Sequence, residues 1–218
     1  MALLFVTLAA SILALGNCGN FTITQEASVS IEIKNFDGEG EDFRGKFTIG
    51  LFGDSVPMTA LNFAGICKGF KRGNKGPKLH YKNTFCHRVV KDMLVQCGDV
   101  TIGDGSGSKS IFGDKFNDEN FIVSHSSAGI ISMANHGQDT NGSQFFLLFT
   151  RARYLDNKHV AFGKVVKGYD VVEAINDLGS EKDGLTPRRP IKITDCVLEE
   201  VEKYDLSRKQ MFTDDLEK

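Results

Sequence analysis

Four polar residues stand in stretches of the sequence that otherwise read as apolar core strands. They are Arg88, Gln96, Asn135 and His159, and their apolar neighbours are Met93, Leu94, Met133, Phe145, Phe146, Tyr154 and Leu155. A buried charge without a partner is costly, so an arginine in such a strand must reach water at a cleft or find polar partners. The pattern indicates either an apolar pocket beside one fixed cation or a polar cluster that holds the strands together. Strand periodicity alone does not decide between the two.

Other catalytic patterns are weaker. The stretch GDGSGSKS (103–110) has Ser108 where a phosphate-binding loop needs a glycine, and no apolar helix follows it. The sequence has no Gly-x-Ser-x-Gly nucleophile elbow. The five histidines show no metal-type spacing, so we predict no metal site.

Many short strands and two helices must position these residues. Alternating or apolar runs predict strands at 28–36, 43–52, 85–90, 93–99, 128–135, 143–150, 159–166 and 189–203. One helix is predicted from Pro57, after a cap at Asp54 or Ser55, until Gly69, and a second over 168–179. Short strands with two isolated helices predict a mainly β fold, a closed antiparallel barrel capped by the helices.

Composition argues for one compact domain. The 218 residues are 41% hydrophobic and carry a formal net charge of −2, which gives no reason to expect nucleic-acid binding. The exception is the basic segment Lys68–Lys78, with five Lys/Arg and no acid, which is either a solvated loop or an interaction patch. The domain is predicted over 28–200 and a charged C-terminal tail over 201–218, of which the residues from Tyr204 onward are predicted to be mobile or weakly helical.

The first 19 residues differ in composition from the rest. They carry no charged side chain, and an apolar run from Ala2 to Leu15 is followed by small residues suited to signal cleavage. We predict a cleavable signal over 1–19, a mature chain without a membrane span, and residence in the endoplasmic reticulum lumen or secretion. Asn20 begins an accessible glycosylation acceptor, Asn-Phe-Thr.

The five cysteines do not look like a disulfide framework, because their count is odd and their spacing irregular. Buried free thiols are the favoured interpretation. One bridge between Cys86 and Cys97, on adjacent strands, is the alternative.

The ordered motifs of the chain resemble the cyclophilins over roughly residues 28–200. These motifs are FCHRVV, QCGD, GDGSGSKSIFGDKFNDENF, GIISMAN, DTNGSQFFLLFT, YLDNKHVAFGKV and ITDC. RVVKD, the leader and LEEVEK most resemble the secretory, B-type members. The resemblance implies an eight-stranded barrel with two helices, peptidyl-prolyl cis/trans isomerase activity without cofactor or metal, and binding of proline-containing peptides and cyclosporin-type ligands.

The resemblance also implies roles for particular residues. Arg88 matches the catalytic arginine, which Gln96, Asn135 and His159 would orient together with the substrate backbone. The expected proline pocket and peptide groove comprise His87, Met93, Leu94, Gly105, Met133, Ala134, Phe146, Tyr154 and Leu155.

Four positions depart from the family pattern. Cys86 and Met93 stand where phenylalanine is usual, Cys97 where glycine is usual, and Tyr154 where many members have tryptophan. Methionine keeps apolar volume but loses a rigid ring, so we expect weaker proline binding. The smaller wall at Tyr154 predicts reduced affinity for cyclosporin-type ligands.

Three functional hypotheses follow. The first is an active, monomeric isomerase that assists folding of client proteins in the secretory pathway. The second is a proline-peptide binding or chaperone module with weakened turnover. The third is a secreted effector that acts through the basic segment Lys68–Lys78.

Overall fold

A computed structural model describes residues 21–74, 76–179 and 186–212 of the chain. The predicted signal 1–19 and the acceptor Asn20 lie outside these residues. The strands are β1 Thr22–Ile33, β2 Phe43–Leu51, β3 Phe70–Lys71, β4 Lys78–Leu79, β5 Phe85–Cys86, β6 Arg88–Val90, β7 Leu94–Cys97, β8 Ile130–Met133, β9 Phe145–Leu148, β10 Ala161–Lys167 and β11 Ile191–Asp205. The helices are α1 Pro57–Lys68, α2 Tyr169–Asp177 and α3 Arg208–Phe212, with a 3₁₀ turn at Arg153–Leu155.

Nine strands of the described chain form one antiparallel sheet in the order β5-β11-β1-β2-β10-β8-β9-β7-β6. The mainly β fold with few helices is therefore confirmed. The closed eight-stranded barrel is not, because this sheet has nine strands and its hydrogen-bonded order has two ends. The two end strands are consecutive in the chain: β5 pairs with β11, β6 pairs with β7, and His87 alone separates them.

A disulfide joins β5, at one end of this strand order, to β7, which is next to the strand at the other end. Cys86 of β5 is bonded to Cys97 of β7 across a Cα–Cα distance of 4.0 Å. A cross-link of this kind restricts the unfolded chain and so favours the folded one. The bridge links the residue just before His87 to β7, the strand with which Arg88 pairs.

Helix α1 begins and ends at the predicted residues. Pro57 fits the first position, where its missing N–H costs nothing, and Gly69 ends the helix at φ 88°. No residue of the preceding turn caps the helix; instead the Glu119 carboxylate accepts from the backbone N–H groups of Met58 and Thr59 at 2.9 and 2.8 Å. A negative group at a helix N-terminus is favourable because it meets unpaired N–H donors.

An aromatic cluster fills the core beneath α1. Phe63 of the helix packs against Tyr81, Phe145 and Phe162, with ring centroids 5.0–5.2 Å apart. Tyr81 is buried, and its hydroxyl donates to the Ser143 carbonyl at 2.9 Å, so no polar atom of the ring is left unpaired. The face of β9 that carries Phe145 is thus the core face.

The prediction of buried free thiols is wrong. In addition to the Cys86–Cys97 bridge, a second disulfide joins Cys67, at the end of α1, to Cys196 of β11. The odd number of cysteines argued against disulfides because it includes Cys18, which lies within the predicted signal. Without Cys18 the count is even.

The C-terminal segment is more structured than its composition indicates. Strand β11 runs to Asp205, past the predicted domain boundary at 200, and α3 follows. Leu206 and Met211 are buried in the core, and the Ser127 hydroxyl donates to the Met211 carbonyl at 2.7 Å. The pairing of β11 with β1 as far as Asp205 and the burial of these two apolar residues together hold the charged stretch on the domain.

Candidate active site

A row of side chains crosses four strands on the face of the sheet opposite the aromatic core. Arg88 of β6 is opposite Gln96 of β7, Gln96 is opposite Phe146 of β9, and Phe146 is opposite Ser132 of β8. Directly opposed residues in a sheet point to the same side. The sequence therefore places a cation, an amide and an aromatic ring next to one another.

A chain of hydrogen bonds holds the arginine. Arg88 Nη1 donates to Gln96 Oε1 at 3.4 Å, and Gln96 Nε2 donates to Gln144 Oε1 at 2.7 Å. Gln144 in turn donates to the carbonyls of Gly105 and Gly107 at 2.8 and 2.7 Å. Gln144 is 3% exposed, and every polar atom of its amide is paired.

Sequence reasoning missed Gln144. The signal was present, because Gln144 is a polar residue next to the apolar run Phe145–Leu148, as Arg88 is next to Val89 and Val90. Its partners are backbone carbonyls of a distant loop, which no spacing in the sequence reveals.

Asp99 organises the loop that receives Gln144. Its carboxylate accepts from the backbone N–H groups of Thr101, Ile102, Gly105 and Gly107 at 2.9–3.0 Å. Burial acts to raise the pKa of Asp99, but these hydrogen bonds lower it to about 2. The carboxylate is thus ionised at neutral pH and fixes the carbonyls that Gln144 meets.

His87 packs against the backbone of the same loop. A Cβ on Gly105 would lie 2.4 Å from His87 Cδ2, so only glycine fits there. Burial lowers the pKa of His87, and Arg88 nearby acts in the same direction against the attraction of Asp99. His87 Nδ1 and Arg88 Nε are buried and have no hydrogen-bond partner among the described residues. Two polar atoms of the site are therefore unpaired.

Phe146 forms the apolar wall beside the cation. It is 3% exposed and meets the ring of His159 edge-on, with centroids 5.3 Å apart. Leu94 lies on the same face of β7 as Gln96, and Met93, in the turn before it, is partly buried. Leu155 is also partly buried.

His159 is held as a neutral donor. Its Nδ1 lies 3.0 Å from the Met133 carbonyl, and a carbonyl only accepts, so Nδ1 carries the proton. Burial lowers the pKa of His159 although this hydrogen bond opposes the shift. The other ring nitrogen, Nε2, is then an acceptor.

Met133 contributes only its backbone carbonyl to the site. It is opposite Phe145 and therefore points to the core face, where it is 0% exposed. The expectation that its side chain lines the groove fails because β8 alternates, and Ser132 occupies the outer face.

Asn135 and Ala134 lie near Gln96, and the Asn135 amide donates away from the arginine. A depression beside the pocket is lined in part by Gln96, Ala134 and Asn135. Asn135 Nδ2 donates to the Lys158 carbonyl at 2.8 Å, so Asn135 fixes the turn before His159 rather than Arg88. Tyr154 stands 57% exposed on the 3₁₀ turn.

Behind Phe146 lies a buried trio that sequence reasoning also missed. His125 Nδ1 lies 2.9 Å from Asp156 Oδ1, His125 Nε2 lies 2.9 Å from Ser132 Oγ, and the His125 ring stacks on Phe146. The order resembles a hydrolytic triad, but Ser132 and His125 are both 0% exposed, so no substrate reaches them. The trio supports the Phe146 ring.

No metal or membrane element accompanies this site in the described ranges. There, no group of three or more histidine, cysteine or acidic side chains could hold a metal ion. None of the helices described is long and apolar enough to cross a membrane.

An antiparallel fold with a half-buried arginine beside an apolar, histidine-edged pocket is what we expect of a prolyl isomerase. The family model "Cyclophilin type peptidyl-prolyl cis-trans isomerase/CLD" matches residues 31–198. The chain belongs to this family and is a cyclophilin-type peptidyl-prolyl cis-trans isomerase. Its substrates are proline-containing peptides and proteins.

The buried histidines predict a pH-dependent stability. Burial lowers the pKa of His87, His125 and His159 below the value near 6.5 of an unfolded chain. Below that pH the unfolded chain binds more protons than the folded one, so stability is lost as the pH falls. We expect urea denaturation to give a smaller free energy of unfolding at pH 5.5 than at pH 7.5.

His125 should account for much of this difference, because it is fully buried. In His125→Asn the pH dependence should become shallower by up to about 1.4 kcal/mol per pH unit. A variant as pH-dependent as the wild type would contradict the assignment.

Proposed function

We propose that Arg88 catalyses prolyl isomerisation by stabilising the twisted amide. Rotation about a peptide bond meets a barrier of about 18–20 kcal/mol because the planar amide is resonance-stabilised. In the twisted state that resonance is lost, and the proline nitrogen gains a lone pair that can accept a hydrogen bond. A guanidinium beside it favours the twisted state over both planar states.

The observation that carries this proposal is the fixed position of the cation. Arg88 is bonded to Gln96 at 3.4 Å and lies in the same row as Phe146. A proline ring against Phe146 would have its nitrogen on the side of the guanidinium. Because the donor is already oriented, little reorganisation is needed during the reaction.

The other residues of the site then have distinct roles. His159 presents Nε2 as an acceptor for a backbone N–H of the substrate. Leu94, Met93 and Leu155 complete the apolar surface around the proline ring. The buried Gln144 is a positioning residue, since it acts on the arginine through Gln96.

Substitution of Arg88 tests the proposal. Removing one preorganised transition-state donor costs about 100- to 1,000-fold in turnover, so Arg88→Ala should lower kcat/KM for a proline tetrapeptide by that order. The kcat/KM of Arg88→Lys should lie between those of the wild type and Arg88→Ala, because the lysine ammonium lacks the rigid, planar donor geometry of a guanidinium. Arg151→Ala, at an exposed arginine, is the matched control and should leave kcat/KM unchanged.

Equal kcat/KM for wild type and Arg88→Ala would contradict the role of Arg88. A wild type that binds the tetrapeptide without accelerating its isomerisation would instead favour the binding-module hypothesis. Unfolding curves of each variant separate loss of catalysis from loss of fold.

We propose reduced affinity for cyclosporin-type peptides as well. Tyr154 is largely exposed at the expected edge of the groove and offers a smaller ring without an indole donor. Inhibition by such a peptide should therefore be stronger in Tyr154→Trp than in the wild type. Equal inhibition would contradict this role of Tyr154.

We also propose that the protein works as a monomer on clients in the secretory pathway. Two disulfides in the described residues support an oxidising compartment, since such bonds are rare in the cytosol. The apolar leader 1–19 supports entry into that pathway. The acceptor at Asn20 would then be glycosylated.

Mass spectrometry of the full chain expressed in cultured eukaryotic cells tests this localisation. We expect protein that lacks about the first 19 residues, carries both bridges and bears a glycan that Asn20→Gln removes. A cytosolic chain that keeps the leader and has free thiols at Cys67 and Cys196 would contradict it.

A further inference from the structure

A second groove lies between residues 70–72 and 77–79, which belong largely to the basic segment, and the loop 109–114. The short hairpin of β3 and β4 supplies one wall, with Phe70 directly opposite Leu79. Arg72 and Pro77 continue the same wall, and Lys109, Ser110, Gly113 and Asp114 form the other. None of the residues assigned to the proline site lines this groove.

The groove combines an apolar floor with a positive rim. Phe70, Pro77 and Leu79 are apolar, while the Arg72 guanidinium lies next to Gly113, where a Cβ would be in van der Waals contact with Nη1 at 3.6 Å. In the described part of the chain Arg72 has no acidic partner. Lys109 is bonded to Asp114 at 3.2 Å, and Asp114 is 86% exposed.

The back of the hairpin adds to the positive field. Lys71 and Lys78 are directly opposite each other across the two strands. Like charges in that position destabilise a hairpin. Among the described residues neither lysine has an ion pair that would offset the repulsion. The repulsion between the two lysines is therefore not compensated within the described part of the hairpin.

We propose that this groove, here called the basic groove, docks an acidic peptide segment of a partner protein. An apolar side chain of that segment would pack on Phe70 and Leu79. A neighbouring carboxylate would pair with Arg72, and a second would displace Asp114 from Lys109. Asp114 thus occupies the place that a partner carboxylate takes.

The observations favour a peptide over a nucleic acid. Among the described residues the cations that line the groove are Arg72 and Lys109, and Asp114 already neutralises one of them. Nucleic-acid binding needs several cations along a backbone, whereas the chain as a whole has a net charge of −2. The apolar floor suits an aliphatic or aromatic side chain between acidic ones.

The groove and the proline site share one loop. Gly105 and Gly107 of this loop hold Gln144, and the following residues Lys109–Asp114 form the groove wall. A partner anchored in the basic groove would be kept close to the catalytic arginine. Its prolyl bonds would then meet the site at a raised effective concentration.

Fluorescence anisotropy with two labelled, proline-free peptides tests the proposal. The acidic probe is Glu-Asp-Phe-Leu-Asp and the control probe is Gln-Asn-Phe-Leu-Asn. We expect the acidic probe to bind the mature protein more tightly, and the difference to shrink in 1 M salt. Arg72→Gln should weaken its binding roughly three- to fivefold, the effect of one exposed ion pair.

Asp114→Asn should tighten binding of the acidic probe roughly two- to fivefold, because it frees Lys109 and removes a repelling carboxylate. A misfolded variant would not produce such a gain. Lys46→Gln, at an exposed lysine of β2, makes the same charge change as Arg72→Gln and should have no effect. Isomerase activity on a short proline peptide should be unchanged in all three variants.

Equal binding of the two probes, or no gain in Asp114→Asn, would overturn the proposal. So would a single-stranded DNA oligonucleotide that binds the groove more tightly than the acidic probe does. Self-association that Arg72→Gln abolishes would overturn it in favour of a second copy of the chain.

Discussion

One hydrogen bond between two amides, from Gln96 Nε2 to Gln144 Oε1 at 2.7 Å, joins the two halves of the active site. On one side Gln96 holds the Arg88 guanidinium; on the other Gln144 is anchored in carbonyls that Asp99 has fixed. A cation beside an apolar wall is stable only where polar groups or water meet it. The amide chain supplies such a group to Nη1, through Gln96, without a counter-charge that would neutralise the arginine.

The strand that carries Arg88 is also where the sheet ends. The segment 85–90 pairs with β11 before His87 and with β7 after it, so this strand changes partner beside Arg88. The Cys86–Cys97 bridge fixes this point. Two of the residues that depart from the family pattern thus form a cross-link, which accounts for cysteine at positions where the resemblance leads one to expect phenylalanine and glycine.

Local patterns predicted much of this structure. Pro57 and Gly69 marked the ends of α1, and the polar residues in apolar strands indicated Arg88 and Gln96, which the structure places opposite each other and joins by a hydrogen bond. Features that depend on distant contacts could not be predicted in this way: the Glu119 cap of α1, the Gln144 link, the Cys67–Cys196 bridge and the docking of α3 through Met211. Asn135 and Met133 lie at the site, but their side chains face the neighbouring turn and the core, which motif matching does not distinguish.

The central claim is that the buried amide chain acts on catalysis through Arg88, and a double-mutant cycle tests it most directly. Gln144 reaches the arginine through its hydrogen bond to Gln96, so kcat/KM would be measured for Gln144→Ala in the wild-type and Arg88→Ala backgrounds. The account predicts a clear loss in the first background and no further loss in the second. Equal losses in both would show that Gln144 does not work through Arg88 and would contradict the account.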